Sequence, residues 1–414
     1  MRLDFNGVFP FIHRLESAEE RGTPTINWPT ADLDVYFQGN GYNTSTAGVS
    51  VTSDTALKSS AYWRAVNLIG SQTAAFPLGK FKRLPNGDTQ KIYDDSVKLV
   101  TRKTNRIMRS FIWREATQAN ALVNGNGYSF IEKTNGGVPV ALKLLDPVNV
   151  TPQTDGDIIV YKYLDRVFDS SQIFHIPGLS FDGIKGRAVL DVAAESMGVG
   201  LAMQKYSALM FKNGAKQTGV LMHPQTLSTK ARDGLRTSFD KKLKGDEGGT
   251  MILDEGMKWI PTGIPPDQAQ LLQSKQFSVQ EIARWFGVPP HLLFEESRST
   301  FNNISEQGME FVRYTLTQWV ERWEAELNEK LLTEDEKDNH FWKFNMNSLM
   351  RGSLKERMEA YRTGLDLGIY NIDEVRALED LNQLPGGDGK KHLVQMNRTT
   401  IEKLGDNGNS GDTI

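Results

Sequence analysis

Between residues 267 and 287, Leu272, Val279, Ile282, Ala283 and Phe286 fall on one stripe at a helical spacing of about 3.6 residues, while Gln268, Gln270, Gln273, Lys275, Gln280, Glu281 and Arg284 occupy the remainder. This pattern predicts an amphipathic helix. Asp267, behind Pro265 and Pro266, is placed to cap its first amides. Gly287 is suited to a left-handed turn at its end, and Pro289 with Pro290 forbids continuation. A polar connection follows, then a second predicted helix from Asn303, which stands three residues before Glu306 as in a capping box, to about Leu332. Met309, Val312, Leu316, Trp319, Val320, Trp323, Leu327 and Leu331 form its apolar seam. At 1.5 Å per residue such an element spans ~40 Å.

A third helix, residues 187–213, has a different pattern. Val189, Val192, Val199, Met203, Tyr206 and Met210 mark one side and Leu190, Met197 and Leu201 another, leaving only a narrow charged strip of Asp191, Glu195, Lys205 and Lys212. Small residues, among them Gly198 and Gly200, permit close backbone approach. A helix apolar on nearly all sides needs neighbours on nearly all sides. Either identical copies supply them or the helix is the centre of a single-chain core, and periodicity does not choose.

Elsewhere, a helical region opens at Ser53 or Asp54 and ends at Phe76 and Pro77. Residues 79–176 then read mostly as strands: the runs GKFKRL, YSFIEK, VALKLL and IIVYKYL alternate and adjoin turn residues, with one helix interposed at about 110–123. Residues 214–266 read as a small unit of strands GVLMH, TMILD and KWIP around a helix led by Ser228, with Lys230, Lys241, Lys242 and Lys244 exposed. HFWKFNM is a further strand. SLKERMEAYRTGLDLG and NIDEVRALEDL are two further helices, the second with Asn371 and Glu374 as a cap pair. Residues 1–52 have no period and read as an arm, flexible or docked on a neighbour through Trp28, Tyr36, Phe37 and Tyr42; residues 385–414 read as a disordered tail. The fold class is α+β.

Composition narrows the chemistry. The 414 residues contain no cysteine, which removes disulfides, thiolate zinc sites and cysteine nucleophiles. The formal charge of −3 makes the chain as a whole no electrostatic trap for nucleic acid, so any DNA contact is local and weak. Asp4 and Pro10 interrupt the opening apolar stretch and argue against a signal peptide, and no membrane span is expected. The six histidines are dispersed, no HExxH, Walker loop or nucleophile elbow occurs, and no metal or cofactor is expected. Gly183 to Gly186, before a helix start, fit either a phosphate cradle or simple turn glycines.

The segments EIARWFGVPPHLLF, STFNNISEQGMEFVRYTL and WVERWEAELNEKLL, together with collinear blocks at 60–83, 119–133, 175–221 and 349–388, resemble the portal protein family of tailed bacteriophages, in the branch with Hong Kong 97 type capsids. The resemblance covers roughly residues 51–388 and implies a ring-forming subunit. In it, residues 53–187 begin an α/β wing, 188–213 and 267–287 are two stem helices, and 214–266 form a small α/β clip. Residues 288–303 hold a tunnel loop, 304–350 the long helix and a strand returning to the wing, and 351–384 a helical crown. It also implies sites. Arg298, Ser299, Thr300, Asn302 and Asn303 would meet double-stranded DNA, although the same residues fit a turn whose asparagines only cap. Lys230, Lys241, Lys242 and Lys244 would face the packaging terminase and the head-to-tail connector, and Val192, Val199, Met203, Tyr206, Val279 and Ile282 would pack subunits. The implied assembly is a dodecamer at one capsid vertex of the virion, assembled in the host cytoplasm beside the major capsid protein, and not itself an enzyme. The competing readings are a metal-dependent nuclease-like α+β enzyme and a head-to-tail adaptor ring.

Overall fold

The computed structural model describes residues 45–156, 158–212, 219–224, 226–244, 256–261, 271–294, 308–346, 354–379 and 381–393. It begins with a turn at Ser45 to Val49, then α1 (Ser53–Ala56) and α2 (Ser60–Ala75). The single helical region expected from residue 53 is therefore two helices. Thr52 and Thr55 close a capping box on the first, and the extended backbone of Ser59 restarts the second. Residues 45–52 are also not arm: Ser45 and Val51 are buried, and an added Cβ on Gly198 would run into the Ser45 side chain.

The residues expected to form the wing follow as β1 (Leu78–Arg83), β2 (Thr89–Ile92), α3 (Asp95–Thr101), α4 (Ser110–Asn124), β3 (Asn126–Lys133), β4 (Pro139–Leu145), β5 (Val150–Asp155), β6 (Ile158–Tyr163), β7 (Arg166–Asp169) and β8 (Ile173–Pro177). Two short strands, β9 (Leu179–Ser180) and β10 (Gly186–Arg187), lead into α5 (Val189–Lys212). The small unit contains β11 (Gly219–Met222), α6 (Thr229–Lys244) and β12 (Lys258–Pro261), with β11 and β12 paired. Then come α7 (Leu271–Phe286), a π-helical turn Phe311–Leu316 continuing as α8 (Thr317–Lys330), α9 (Glu334–Lys337), β13 (His340–Phe344), α10 (Leu354–Asp366) and α11 (Ile372–Leu378). Strand β13 pairs antiparallel with β1, Leu78 opposite Phe344, so after the long helix the chain returns to the sheet of β1. The other wing sheets run in the orders β4-β3-β8 and β5-β6-β7, all antiparallel among the described residues.

One core joins these parts. Trp113 of α4, Phe174 of β8 and Trp323 of α8 lie within 5.3–5.4 Å of one another by ring centroid. Tyr62 of α2 meets Phe286 of α7 edge-on at 5.1 Å. Alternation alone leaves open which face of β1 turns inward. The structure buries Lys80, 1% exposed, with Nζ 2.8 Å from Asp94 and 2.7 Å from Glu336, so that a cation paired with two acids fills an otherwise apolar layer.

Two further expectations change. The long helix is not uniformly α: the extra residue of the π turn rotates everything before it by about 100°, so Phe311 is buried and Met309 is 53% exposed. The tail is structured beyond residue 384, because Pro385–Lys390 forms 3-10 turns in which Gly389 is buried against Asp373, whose Oδ1 accepts the Leu384 amide at 2.8 Å. The Asn371 and Glu374 capping box forms as anticipated. Residues 1–44, the strand expected at 250–254, the Asp267 cap, the Asn303 and Glu306 pair and residues 394–414 lie outside the described residues.

Candidate functional site

The pair α5 and α7 carries the surfaces of interest. The helices cross closely where an added Cβ on Gly200 would collide with the Ser278 hydroxyl, and Trp285 Nε1 donates to Ser196 Oγ at 3.0 Å. Small residues on α5 therefore serve contacts within this chain. The inward side of α5 buries Leu190, Ala193 and Met197, but Val192 (53%), Val199 (43%) and Tyr206 (46%) stay exposed at seven-residue intervals. Within the described residues, the chain shelters one side of this apolar helix and leaves the other open.

The six residues expected to pack subunits thus separate. Val192, Val199 and Tyr206 form the open row, and Met203 is half-buried beside a cavity of about 290 Å³ that also touches Lys275, Val279 and Ile282. Ile282 is only 4% exposed, held in this chain's own core, and this removes it from the set; Val279 packs partly against the same core. The helix period placed Ile282 on the apolar stripe correctly, but a stripe does not say who covers it. Lys230 is exposed on α6, whose backbone also carries positions 241, 242 and 244 (Lys241, Lys242 and Lys244). Arg298, Ser299, Thr300, Asn302 and Asn303 lie outside the described residues.

The approach to that segment is described. Gly287 has φ +64 at the end of α7, as the sequence requires, and a 3-10 turn Pro290–Leu293 leads to Phe294. Thr315 Oγ1, in the π turn, donates to the Gly287 carbonyl, and Thr317 Oγ1 donates to Val312 O at 3.0 Å. These hydroxyl bonds accompany the π geometry. No hydrophobic pattern signals them.

The wing end of α5 is fastened by a polar network. Asn126 Oδ1 accepts the Gly186 amide at 2.7 Å and its Nδ2 donates to Gly186 O at 2.8 Å, which fixes the amide's orientation. His175 Nε2 lies 2.9 Å from Asn126 Oδ1, so Nε2 carries the proton and Nδ1 accepts from the Tyr161 hydroxyl at 3.2 Å. Nearby, Asp182 Oδ1 accepts the amides of Ile184 and Lys185, each at 2.8 Å. The donors a phosphate would need are taken, which leaves the turn reading for Gly183 to Gly186. Among the described residues no cluster of His, Asp and Glu is arranged to hold a metal ion, and no helix is long and apolar enough to cross a membrane.

Burial, aided by the Lys330 charge, pushes His175 from 6.5 down to about 3. Glu326, whose Oε1 accepts the His175 amide at 2.8 Å, is raised from 4.5 to about 7, burial outweighing that bond and Lys330. The two act with opposite sign on stability. Neutral His175 contributes fully above 6.5, and that contribution is lost as pH falls toward 3. Protonated Glu326 contributes fully below 4.5, and its contribution is lost as pH rises through 7. Between 4.5 and 6.5 the slopes oppose. Glu326→Gln keeps an acceptor for the His175 amide and removes one slope. Its melting temperature relative to the parent is therefore expected to climb from pH 4.5 to 7 and then level off, which differential scanning calorimetry checks; a flat difference would mean Glu326 is ionised in the fold throughout.

Comparison with known proteins agrees with this architecture. The family profile described as "Phage portal protein" matches residues 60–380. The "Probable portal protein" of Streptomyces phage phiC31 is 33% identical, over 89% of this chain and 84% of that protein. The "Portal protein" of Enterobacteria phage HK97 is 29% identical, over 86% of each. Among solved structures, the neck of a native gene transfer agent particle computed with C12 symmetry matches with a TM-score of 0.54 at 23% identity, over 80% of this chain and 92% of that one, a likeness of fold.

Proposed function

Because this chain belongs to the phage portal protein family, we propose that it is the subunit of a dodecameric ring at one capsid vertex, the passage through which double-stranded DNA is packed and ejected. The observation that carries this reading is the exposed row Val192, Val199 and Tyr206 on a long helix whose other side is buried. Three large apolar side chains in register on one helix face are costly in water, and a neighbouring copy related by rotation covers them in every subunit at once. The twelvefold symmetry of the gene transfer agent neck, matched in fold, supports twelve copies. The ring stands beside the major capsid protein. Its α6 unit, with Lys230 exposed, is where the terminase and later the connector dock, and residues 297–303 supply its contact with DNA. The protein guides DNA and leaves ATP hydrolysis to the motor. With a chain charge of −3, it holds DNA loosely, as a conduit must.

Electron microscopy of the purified protein tests the ring: an axial hole is expected, and a monomer would overturn the reading. Val199→Glu places a charge on the open row without touching the core. It is expected to abolish rings while leaving the melting temperature of the separated chain within a few degrees. If rings form unchanged, that row is not the interface. Deleting residues 297–303 is expected to spare the ring and to cut packaged DNA in an assay with the motor present; loss of the ring instead would contradict the placement of this loop.

A further inference from the structure

A basic turn joins α3 to α4. Residues 102–109 include Arg102, Lys103, Arg106 and Arg109 and no acid, in a chain whose formal charge is −3, and all four side chains are exposed. The backbone beneath them is pinned. Lys103 and Arg109 stand opposite each other in an antiparallel bridge, flanked by bonds from Thr104 N to Met108 O at 3.1 Å and from Ser110 N to Arg102 O at 3.2 Å. Asn105 Oδ1 accepts the Ile107 and Met108 amides at 2.9 and 2.8 Å, and its Nδ2 donates to Leu142 O on β4 at 2.8 Å. The Leu142 amide in turn donates to Thr104 O at 3.0 Å. The turn therefore holds its cations on a frame tied to β4. With bonds on either side of it, the bridge makes Lys103 and Arg109 a pair of the closer, non-hydrogen-bonded kind, whose Cα atoms stand about 4.5 Å apart. Like charges directly opposite each other weaken such a pair. Nearby acids do not relieve it: Asp95 is paired with Lys98 at 2.7 Å, Glu132 with Lys143 at 2.6 Å, and Glu115, the first acid on α4, faces Gly70 of α2. Among the described residues none of the four cations has an ion-pair partner.

We infer that this turn is a separate DNA contact, in which Arg102, Lys103, Arg106 and Arg109 take the phosphates of a duplex without reading its sequence. Folding alone gains nothing from opposing Lys103 to Arg109, whereas a polyanion set between them turns that repulsion into attraction. A duplex carries one negative charge per ~1.7 Å of its axis, a density that four cations on one short turn can meet together. Contacts of this kind need charge and fixed placement only. An acidic protein segment is the other polyanion to weigh. Protein interfaces keep charge away from their centres, and within this turn four cations flank one exposed large apolar side chain, Ile107, which is 94% exposed. That balance favours phosphates. The inference depends neither on the ring nor on the contact proposed for residues 297–303.

Fluorescence anisotropy of a short labelled duplex of mixed sequence, titrated with the full-length protein over a salt series, tests it. Parent binding is expected at low salt and is expected to weaken as salt rises. Combining Arg102→Gln, Lys103→Gln, Arg106→Gln and Arg109→Gln is expected to weaken low-salt binding roughly tenfold or more, and to reduce the slope of log affinity against log salt by about 3–4, at ~0.9 per phosphate contact. The same decrement is expected in protein lacking residues 297–303, which separates this contact from that one. Arg109→Glu is expected to part stability from binding: opposite charges now face each other across the bridge, so the melting temperature holds or rises while duplex affinity falls. A variant that merely misfolds would lose both. Ile107→Ser is expected to leave duplex binding unchanged. Absence of parent binding at low salt, an unchanged slope in the fourfold variant, or an equal loss with Ile107→Ser overturns the inference. If poly-L-glutamate raises the melting temperature of the parent but not of the fourfold variant, while the duplex moves neither, an acidic protein segment is the occupant and the DNA assignment falls.

Discussion

Trp323→Ala is expected to cost about 3–5 kcal/mol for the cavity and lost burial alone, a large part of the ~5–15 kcal/mol that holds a typical domain together. Trp323 is fully buried, edge-on to Trp113 at 5.3 Å and tilted against Phe174 at 5.4 Å. Its Nε1 donates to Gln118 Oε1 at 2.8 Å, so truncation also strands a buried acceptor, adding about 1–3 kcal/mol. Because the three rings come from α4, β8 and α8, the loss uncouples the long helix from the wing rather than loosening one element. The urea midpoint should fall steeply with Trp323→Ala and by less with Trp323→Phe, which keeps a ring and loses the hydrogen bond. Equal effects from the two substitutions would mean the hydrogen bond, and not the packing, dominates.

Gly186→Ala is the second large effect. An added Cβ would overlap the Gly125 carbonyl oxygen and the Gly178 amide nitrogen, and sit 3.0 Å from Gly178 Cα. These are backbone atoms, and the Gly178 amide is already bonded to Gly125 O at 2.7 Å, so they cannot give way as a side-chain tip would. We expect a loss of about 3 kcal/mol or more, together with displacement of α5, whose first residue lies three positions on. Gly183→Ala is the control. It lies in the same passage and has φ +76 but meets nothing within 4 Å, so only backbone strain of about 1–2 kcal/mol is expected. Thermal unfolding of the two variants side by side checks the contrast, and comparable losses would refute the close three-glycine junction.

These two glycines show what a sequence conveys and what it does not. Both read as turn residues in one glycine-rich passage, and only the approach of β8 and the end of α4 makes one of them irreplaceable. The same holds for Asn126 and His175: neither has a motif around it, and their role appears when β3, β8 and the Gly186 backbone converge. Arg64 Nε donates to the Leu292 carbonyl at 3.2 Å across 228 residues of sequence, beyond any local pattern.

The sequence by itself determined the helices with strong periodicity, their glycine and proline stops, the α11 cap, the alternating wing strands and, through its collinear blocks, the family. These are written locally, since 3.6-residue and two-residue periods depend only on backbone geometry. Tertiary structure decided what local patterns leave degenerate. It buried Lys80 between Asp94 and Glu336 in a strand whose alternation permits either face. It placed Ile282 inside the chain while leaving Val192, Val199 and Tyr206 outside, although all four occupy apolar stripes. It inserted a π turn where Thr315 reaches Gly287. The physical reason is common to all three: a stripe or an alternation fixes which residues share a face, while what that face meets depends on elements far away in the chain.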